Sequence, residues 1–166
     1  LRYHRSKAPL LLCGPTGTGK TAYVSRYLRG LDKETHEASV IGFSARTSAN
    51  ATQEQVDLRL DKRRRGEYGP PPGKRAIFFV DDLNHPARDA YGSQPPIELL
   101  RQFEDHGGWY GRDNAFRSVV QTSFVAAMAP AAFAADPGLA PIRAQVTAQH
   151  DANVQRLKEW IALPSI

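Results

Sequence analysis

Residues 14–21 read Gly-Pro-Thr-Gly-Thr-Gly-Lys-Thr and match the pattern G-x-x-x-x-G-K-[ST]. A short apolar run at residues 9–13 precedes them, and residues 22–28 are typical of a helix. Strand, glycine loop and helix in this order are the context that the pattern requires. A chance glycine-rich turn is the weaker interpretation, because every fixed position of the pattern is filled. We therefore predict a loop that binds the phosphates of a nucleotide.

Each residue type in this loop suits that chemistry. Glycines allow left-handed dihedrals and a close approach of the backbone to phosphate, and the freed N–H groups and the helix N-terminus attract anions. Lys20 is expected to contact the β- and γ-phosphates, and the hydroxyl of Thr21 is expected to bind Mg²⁺. The predicted nucleotide-binding residues are Gly14, Pro15, Thr16, Gly17, Thr18, Gly19, Lys20 and Thr21.

The bulk composition favours one globular domain. The chain has 166 residues, of which 41% are hydrophobic and 23% charged, as in ordinary soluble proteins. No apolar run approaches the roughly 20 residues of a membrane span, and the first residues lack a signal peptide. We therefore expect no membrane partner. Because the chain starts without methionine, we also expect a fragment of a longer protein.

A net charge of +5 raises the question of nucleic-acid binding. Much of the excess lies in two basic clusters, at residues 62–65 and 74–75. Such clusters are more often solvated faces, and no zinc-ligand spacing or RNA-binding signature accompanies these. We expect no nucleic-acid partner.

Apolar runs and helical patterns alternate along the chain. We predict strands at residues 9–13, 38–44, 76–80 and 118–127, and helices at 22–28, at 48–65 and from 95 to a stop at Gly107 and Gly108. The run at 76–80 is continuously apolar, as in a strand buried on both faces. This alternation predicts an α/β fold with a parallel sheet between helices.

Two carboxylates follow the strand predicted at 76–80. Asp81 is placed to hold Mg²⁺ opposite Thr21, and Asp82 stands where hydrolytic ATPases usually carry a water-orienting glutamate. Aspartate is one methylene shorter, and an error of about 1 Å in a catalytic base can cost about 100-fold in rate. Asp82 is thus either a weak catalytic base or mostly structural. Aspartates also cap the ends of strands, which is the alternative for the pair.

These motifs resemble the large subdomain of an AAA+ ATPase, a P-loop NTPase, and in detail they resemble dynein heavy chains. The resemblance rests on residues 14–21, 43–53, 60–71, 79–86, 91–102, 105–110 and 124–128. Within the family's ring of six modules, residues 14–20, 43–53 and 80–84 resemble the third module. Aspartate at position 82 suggests the axonemal branch.

The resemblance implies binding of ATP or ADP with Mg²⁺, with Asp81 as metal residue and Asp82 at the catalytic position. The family's third module is regulatory and gates communication between the main ATPase module and the microtubule-binding stalk. The implied partners are neighbouring AAA+ modules of the same heavy chain and, through other regions, the microtubule. The implied location is cytoskeletal, in the axoneme of a cilium or flagellum.

The chain departs from the family after Pro130. Residues 131–138 replace a glycine-rich segment that carries a sensor residue, and the helix-like stretch 142–163 matches neither the fifth strand, the arginine finger nor the helical lid. We expect residues 1–130 to form the large subdomain and residues 131–166 a divergent tail with a helix. Without those parts the fragment is expected to hydrolyse ATP weakly or slowly.

Two other functions are compatible with the loop. One is a stand-alone P-loop enzyme such as a small kinase, with the arginines at 63–65 over its acceptor site. The other is a basic nucleic-acid remodelling ATPase, which would bind nucleic acid with a steep salt dependence.

Overall fold

The computed structural model describes residues 9–129. The predictions for the first eight residues and for the tail at 131–166 lie outside these residues. The helices and strands in chain order are β1 Leu10–Cys13, α1 Lys20–Arg29, β2 His36–Gly42, α2 Ala49–Asp57, β3 Asp61–Arg64, β4 Glu67–Gly69, β5 Arg75–Asp81, α3 Pro95–His106, β6 Gly108–Tyr110, β7 Phe116–Val119 and β8 Thr122–Met128.

The first sheet has the order β1-β8-β5-β2, and all of its strands are parallel. Strand β5 lies inside it, with Phe79 opposite Val125 of β8 and Val40 of β2. The predicted parallel α/β sheet is therefore confirmed. Because all four strands run the same way, their carboxyl ends share one edge of the sheet.

Helices cover both faces of this sheet. Successive side chains of a strand point to opposite faces, so β5 contributes to two separate cores. Ile77 and Phe79 pack with Val24 of α1 on one face. Phe78 packs on the other face, where α2 and α3 supply Val56, Leu100 and Phe103. Complete burial of one such apolar side chain stabilises the fold by about 2 kcal/mol.

The ends of α2 and α3 follow from local sequence. The Ser48 hydroxyl accepts a hydrogen bond from the Ala51 amide, 3.1 Å away, at the start of α2. Prolines occupy the first turn of α3, where no N–H is needed. Gly107 ends this helix at φ +68°, and its amide donates to the Phe103 carbonyl at 2.7 Å.

The prediction of one helix over residues 48–65 is wrong beyond Asp57. Residues 61–64 instead form β3, which turns at Gly66 (φ +74°) and pairs antiparallel with β4. The helix ends at Asp57, and Leu58, just beyond it, is 82% exposed. The charged residues of β3 are held in a strand by the ladder to β4, which a local pattern does not show.

The strand predicted at 118–127 is also two strands. Residue Gln121, at φ +51°, separates β7 from β8, and the two belong to different sheets. The second sheet, ordered β3-β4-β7-β6, was not predicted. Strand β2 begins two residues earlier than predicted and ends at Gly42. None of the helices within residues 9–129 is long and apolar enough to cross a membrane.

Candidate functional site

The glycine loop spans the gap between the end of β1 and the start of α1. The Gly14 amide donates to the Met128 carbonyl at 3.2 Å, so the loop leaves from the carboxyl edge of the sheet. Gly17 and Gly19 have φ of +87° and +79°. A Cβ at Gly17 would meet nothing within 4 Å, whereas one at Gly19 would lie 3.2 Å from the Tyr23 ring. Glycine is thus required at 17 for its dihedral and at 19 also for space.

The loop exposes backbone donors that have no acceptor. Among residues 9–129, no carbonyl or side chain accepts a hydrogen bond from the amides of residues 16–22. The first turn of α1 contains no acidic residue, and Gly19 provides no side-chain cap. Unpaired amides at a helix N-terminus form a natural anion site, so the loop fits a phosphate group.

Lys20 folds back over the loop. Its Nζ donates to the carbonyls of Gly14 and Pro15, both at 2.8 Å, and lies 3.3 Å from the Thr18 hydroxyl oxygen. The Thr18 hydroxyl in turn donates to the Pro15 carbonyl at 2.9 Å. Thr21 follows on α1 with an exposed side chain. The ammonium group and the unpaired amides are therefore presented by the same short loop.

The positive charge of Lys20 affects the thiol of Cys13, the last residue of β1. Burial raises the pKa of the Cys13 thiol above its usual range, and the nearby Lys20 charge partly opposes that rise. Cys13 directly precedes the loop. Burial is thus the larger influence on this thiol, and the Lys20 charge the smaller, opposing one.

The two carboxylates lie at the carboxyl end of β5. Asp81 is its last residue, and its backbone carbonyl accepts the Phe43 amide at 2.9 Å. Asp82 has φ +56°, which is uncommon for a residue with a side chain and occurs often at functional sites. The exposed Asp82 carboxylate lies 3.4 Å from Nδ1 of His85.

Sheet order brings the loop and the carboxylates to one edge. Only β8 separates β1 from β5, so at the usual spacing the two strand ends lie about 10 Å apart. Magnesium usually keeps several waters, so a hydroxyl and a carboxylate at the same edge can hold it through water. Within residues 9–129 no cluster of three or more His, Cys, Asp or Glu could hold a metal. A metal here would therefore depend on Thr21, Asp81, water and phosphate oxygens.

Two residues at this edge were missed by the sequence analysis. Asn84 donates from Nδ2 to the Ala129 carbonyl at 2.8 Å, which ties the segment after β5 to the end of β8. Gln94, just before α3, donates to the carbonyls of Asn84 and Pro86 at 3.1 and 2.5 Å. The Asn84 Oδ1 atom is buried, and no protein group in the described part of the chain donates to it. The sequence signal that could have identified Asn84 is a polar residue shortly after the end of a buried strand.

Comparison with known proteins agrees with this geometry. The family described as "P-loop containing dynein motor region" matches residues 2–137. Dynein axonemal heavy chain 1 of Rattus norvegicus is 57% identical over 125 residues, which cover 74% of this chain and 3% of that protein. Dynein axonemal heavy chain 3 of Homo sapiens is 51% identical over 129 residues, 77% of this chain and 3% of that protein.

A solved structure, Thermomonospora curvata EccC (ATPases 2 and 3) in complex with a signal sequence peptide, covers 93% of this chain and 28% of that one. It is 18% identical with a TM-score of 0.40, which is too low to support a structural conclusion. The chain spans only about 3% of the curated relatives it matches. The family match covers most of the chain, so the chain belongs to the family of P-loop-containing dynein motor regions.

Proposed function

We propose that this chain is the nucleotide-binding part of a regulatory AAA+ module in an axonemal dynein heavy chain. The observation that carries the proposal is the loop at 14–19, where unpaired amides, two glycines in left-handed conformation and Lys20 converge. A loop built this way fits the phosphates of ATP or ADP.

Each residue of the proposed site has a distinct role. Lys20 neutralises phosphate charge, and the amides of the loop orient the phosphate chain. Thr21 and Asp81 would hold Mg²⁺, which would supply positive charge to offset that of the phosphates. Asp82 occupies the catalytic position, where its short side chain and its contact with His85 favour slow hydrolysis. The module therefore works as a nucleotide-state switch with weak turnover.

The wider setting of the module is inferred from its family. Residues 1–130 are proposed to be the large subdomain of the third module, followed by a divergent tail at 131–166. Its partners are proposed to be neighbouring AAA+ modules of the same heavy chain, and other regions of that chain bind the microtubule. The "axonemal" names of the relatives favour a cilium or flagellum as the location.

The test is binding of a fluorescent ATP analogue to the 166-residue chain. We expect saturable binding in the presence of Mg²⁺, and we expect Lys20→Ala to weaken it at least about 100-fold, because the phosphate charge loses its cation. Lys62→Ala, which removes an exposed lysine of β3, is the matched control and should bind like the unmodified chain. Equal affinity of the Lys20→Ala variant would refute the site assignment.

A further inference from the structure

Thr18 is an unusual member of the loop because its hydroxyl joins two of the other contacts. It donates to the Pro15 carbonyl at 2.9 Å, and the Lys20 ammonium approaches the same oxygen at 3.3 Å. The Pro15 carbonyl also accepts from Lys20 at 2.8 Å. Pro15, Thr18 and Lys20 therefore form a closed triangle of hydrogen bonds across the loop.

The three contacts of Lys20 differ in strength. An ammonium group has three N–H donors, and here each one has an acceptor within the loop. The contacts to the two carbonyls have the 2.8 Å length of strong charge-assisted bonds, whereas 3.3 Å to Thr18 is beyond the usual range. The hydrogen bond from Lys20 to Thr18 is therefore the weakest of the three. Breaking it loses the least free energy.

The contact between Thr18 and Pro15 fixes the shape of the loop. It joins residues three positions apart and encloses Gly17, which has a left-handed conformation. It also directs the hydroxyl proton toward Pro15, so that a lone pair of Thr18 faces the ammonium group. A preformed loop binds faster than a disordered one, because less of the chain must be ordered at the moment of binding.

We propose that Thr18 is a positioning residue that preorganises the loop and serves as a temporary acceptor for the third donor of Lys20. When a nucleotide binds, Lys20 transfers that donor to a phosphate oxygen and keeps both bonds to the Gly14 and Pro15 carbonyls. This inference rests on the proposed nucleotide site and gives Thr18 a further role, in how fast the site fills.

The test measures association and dissociation rates of a fluorescent ADP analogue by stopped flow. In Thr18→Val the hydroxyl is absent, and we expect association to slow about threefold to tenfold, the effect of one net hydrogen bond, with dissociation unchanged. Thr18→Ser restores the hydroxyl and should recover the rate. Thr18→Ala should agree with Thr18→Val, and it replaces that variant if valine prevents folding.

Backbone ¹⁵N NMR relaxation of residues 16–19 in the nucleotide-free chain gives an independent readout. We expect a more mobile loop in Thr18→Val and unchanged mobility in Thr18→Ser. An association rate in Thr18→Val equal to that of the unmodified chain would overturn the role of Thr18 and leave nucleotide binding intact. A slower rate in Thr18→Ser as well would also overturn it. Failure of the unmodified chain to bind would instead overturn the proposed function.

Discussion

Glu104 of α3 is a half-buried carboxyl group that the proposed site does not use. Burial raises its pKa to about 7, and the neighbouring charge of Asp105 adds to that rise. The unfolded chain releases this proton first, near the ordinary value of 4.5. The contribution of Glu104 to the free energy of unfolding is therefore complete below pH 4.5 and is lost as the pH rises to about 7.

Replacement of the Glu104 carboxyl by an amide should remove the loss of stability that accompanies the rise in pH. We expect Glu104→Gln to raise the free energy of unfolding by about 1 kcal/mol at pH 8, a value reduced for the solvent that still screens this group, and to leave it unchanged at pH 4. Urea unfolding of both proteins at the two pH values measures the difference. Asp105→Asn should give a smaller gain of the same sign. A gain from Glu104→Gln that is identical at both pH values would contradict this explanation.

A polar cluster around Asp57, the last residue of helix α2, connects that helix to the second sheet. Asp57 accepts from Nε1 of Trp109 and from Nη1 of Arg117, both at 3.2 Å. Trp109 is fully buried, and the Arg117 guanidinium lies 5.3 Å from the centre of the Tyr68 ring. Burial raises the pKa of Asp57, although both partners oppose that rise. The cluster therefore joins α2 to β4, β6 and β7.

Truncation of Asp57 should loosen this connection. We expect Asp57→Ala to lower the free energy of unfolding by about 2 kcal/mol, because Trp109 and Arg117 lose their acceptor. Asp57→Asn should lower the free energy of unfolding by less, since an amide oxygen still accepts from Trp109. Asp61→Ala on β3, an exposed aspartate, should change it by less than about 0.5 kcal/mol. Chemical denaturation measures the free energy of unfolding of all three variants. A decrease below about 0.5 kcal/mol for Asp57→Ala would show that the cluster does not stabilise the attachment of the sheet.

The same elements explain which parts of the fold could be predicted from sequence. Strand β5 is apolar along its length because both of its faces are buried, so its pattern shows its position directly. Strand β3 is charged and exposed, and pairing with β4 rather than its own pattern makes it a strand. The break at Gln121 depends on a left-handed dihedral that glutamine rarely adopts. Local signals therefore identify the first sheet and miss the second.

At the scale of the whole molecule, the site depends on the order of the first sheet. The loop pattern and the carboxylates were visible in the sequence because each requires specific residue types. Their placement on one edge comes from the order β1-β8-β5-β2, which no short pattern encodes. Asn84 adds a tie between the ends of β5 and β8 that depends on a tertiary contact with Ala129. These separate segments together form the single proposed nucleotide site.

Hydrogen exchange of the 166-residue chain with and without Mg²⁺ and ADP tests that claim most directly. We expect nucleotide to slow exchange in two segments, residues 14–22 and residues 81–84, because both face the same carboxyl edge. The β3–β4 hairpin belongs to the other sheet and serves as the internal control, with exchange unchanged. Protection of residues 14–22 without residues 81–84, or no protection of either segment, would contradict a shared site.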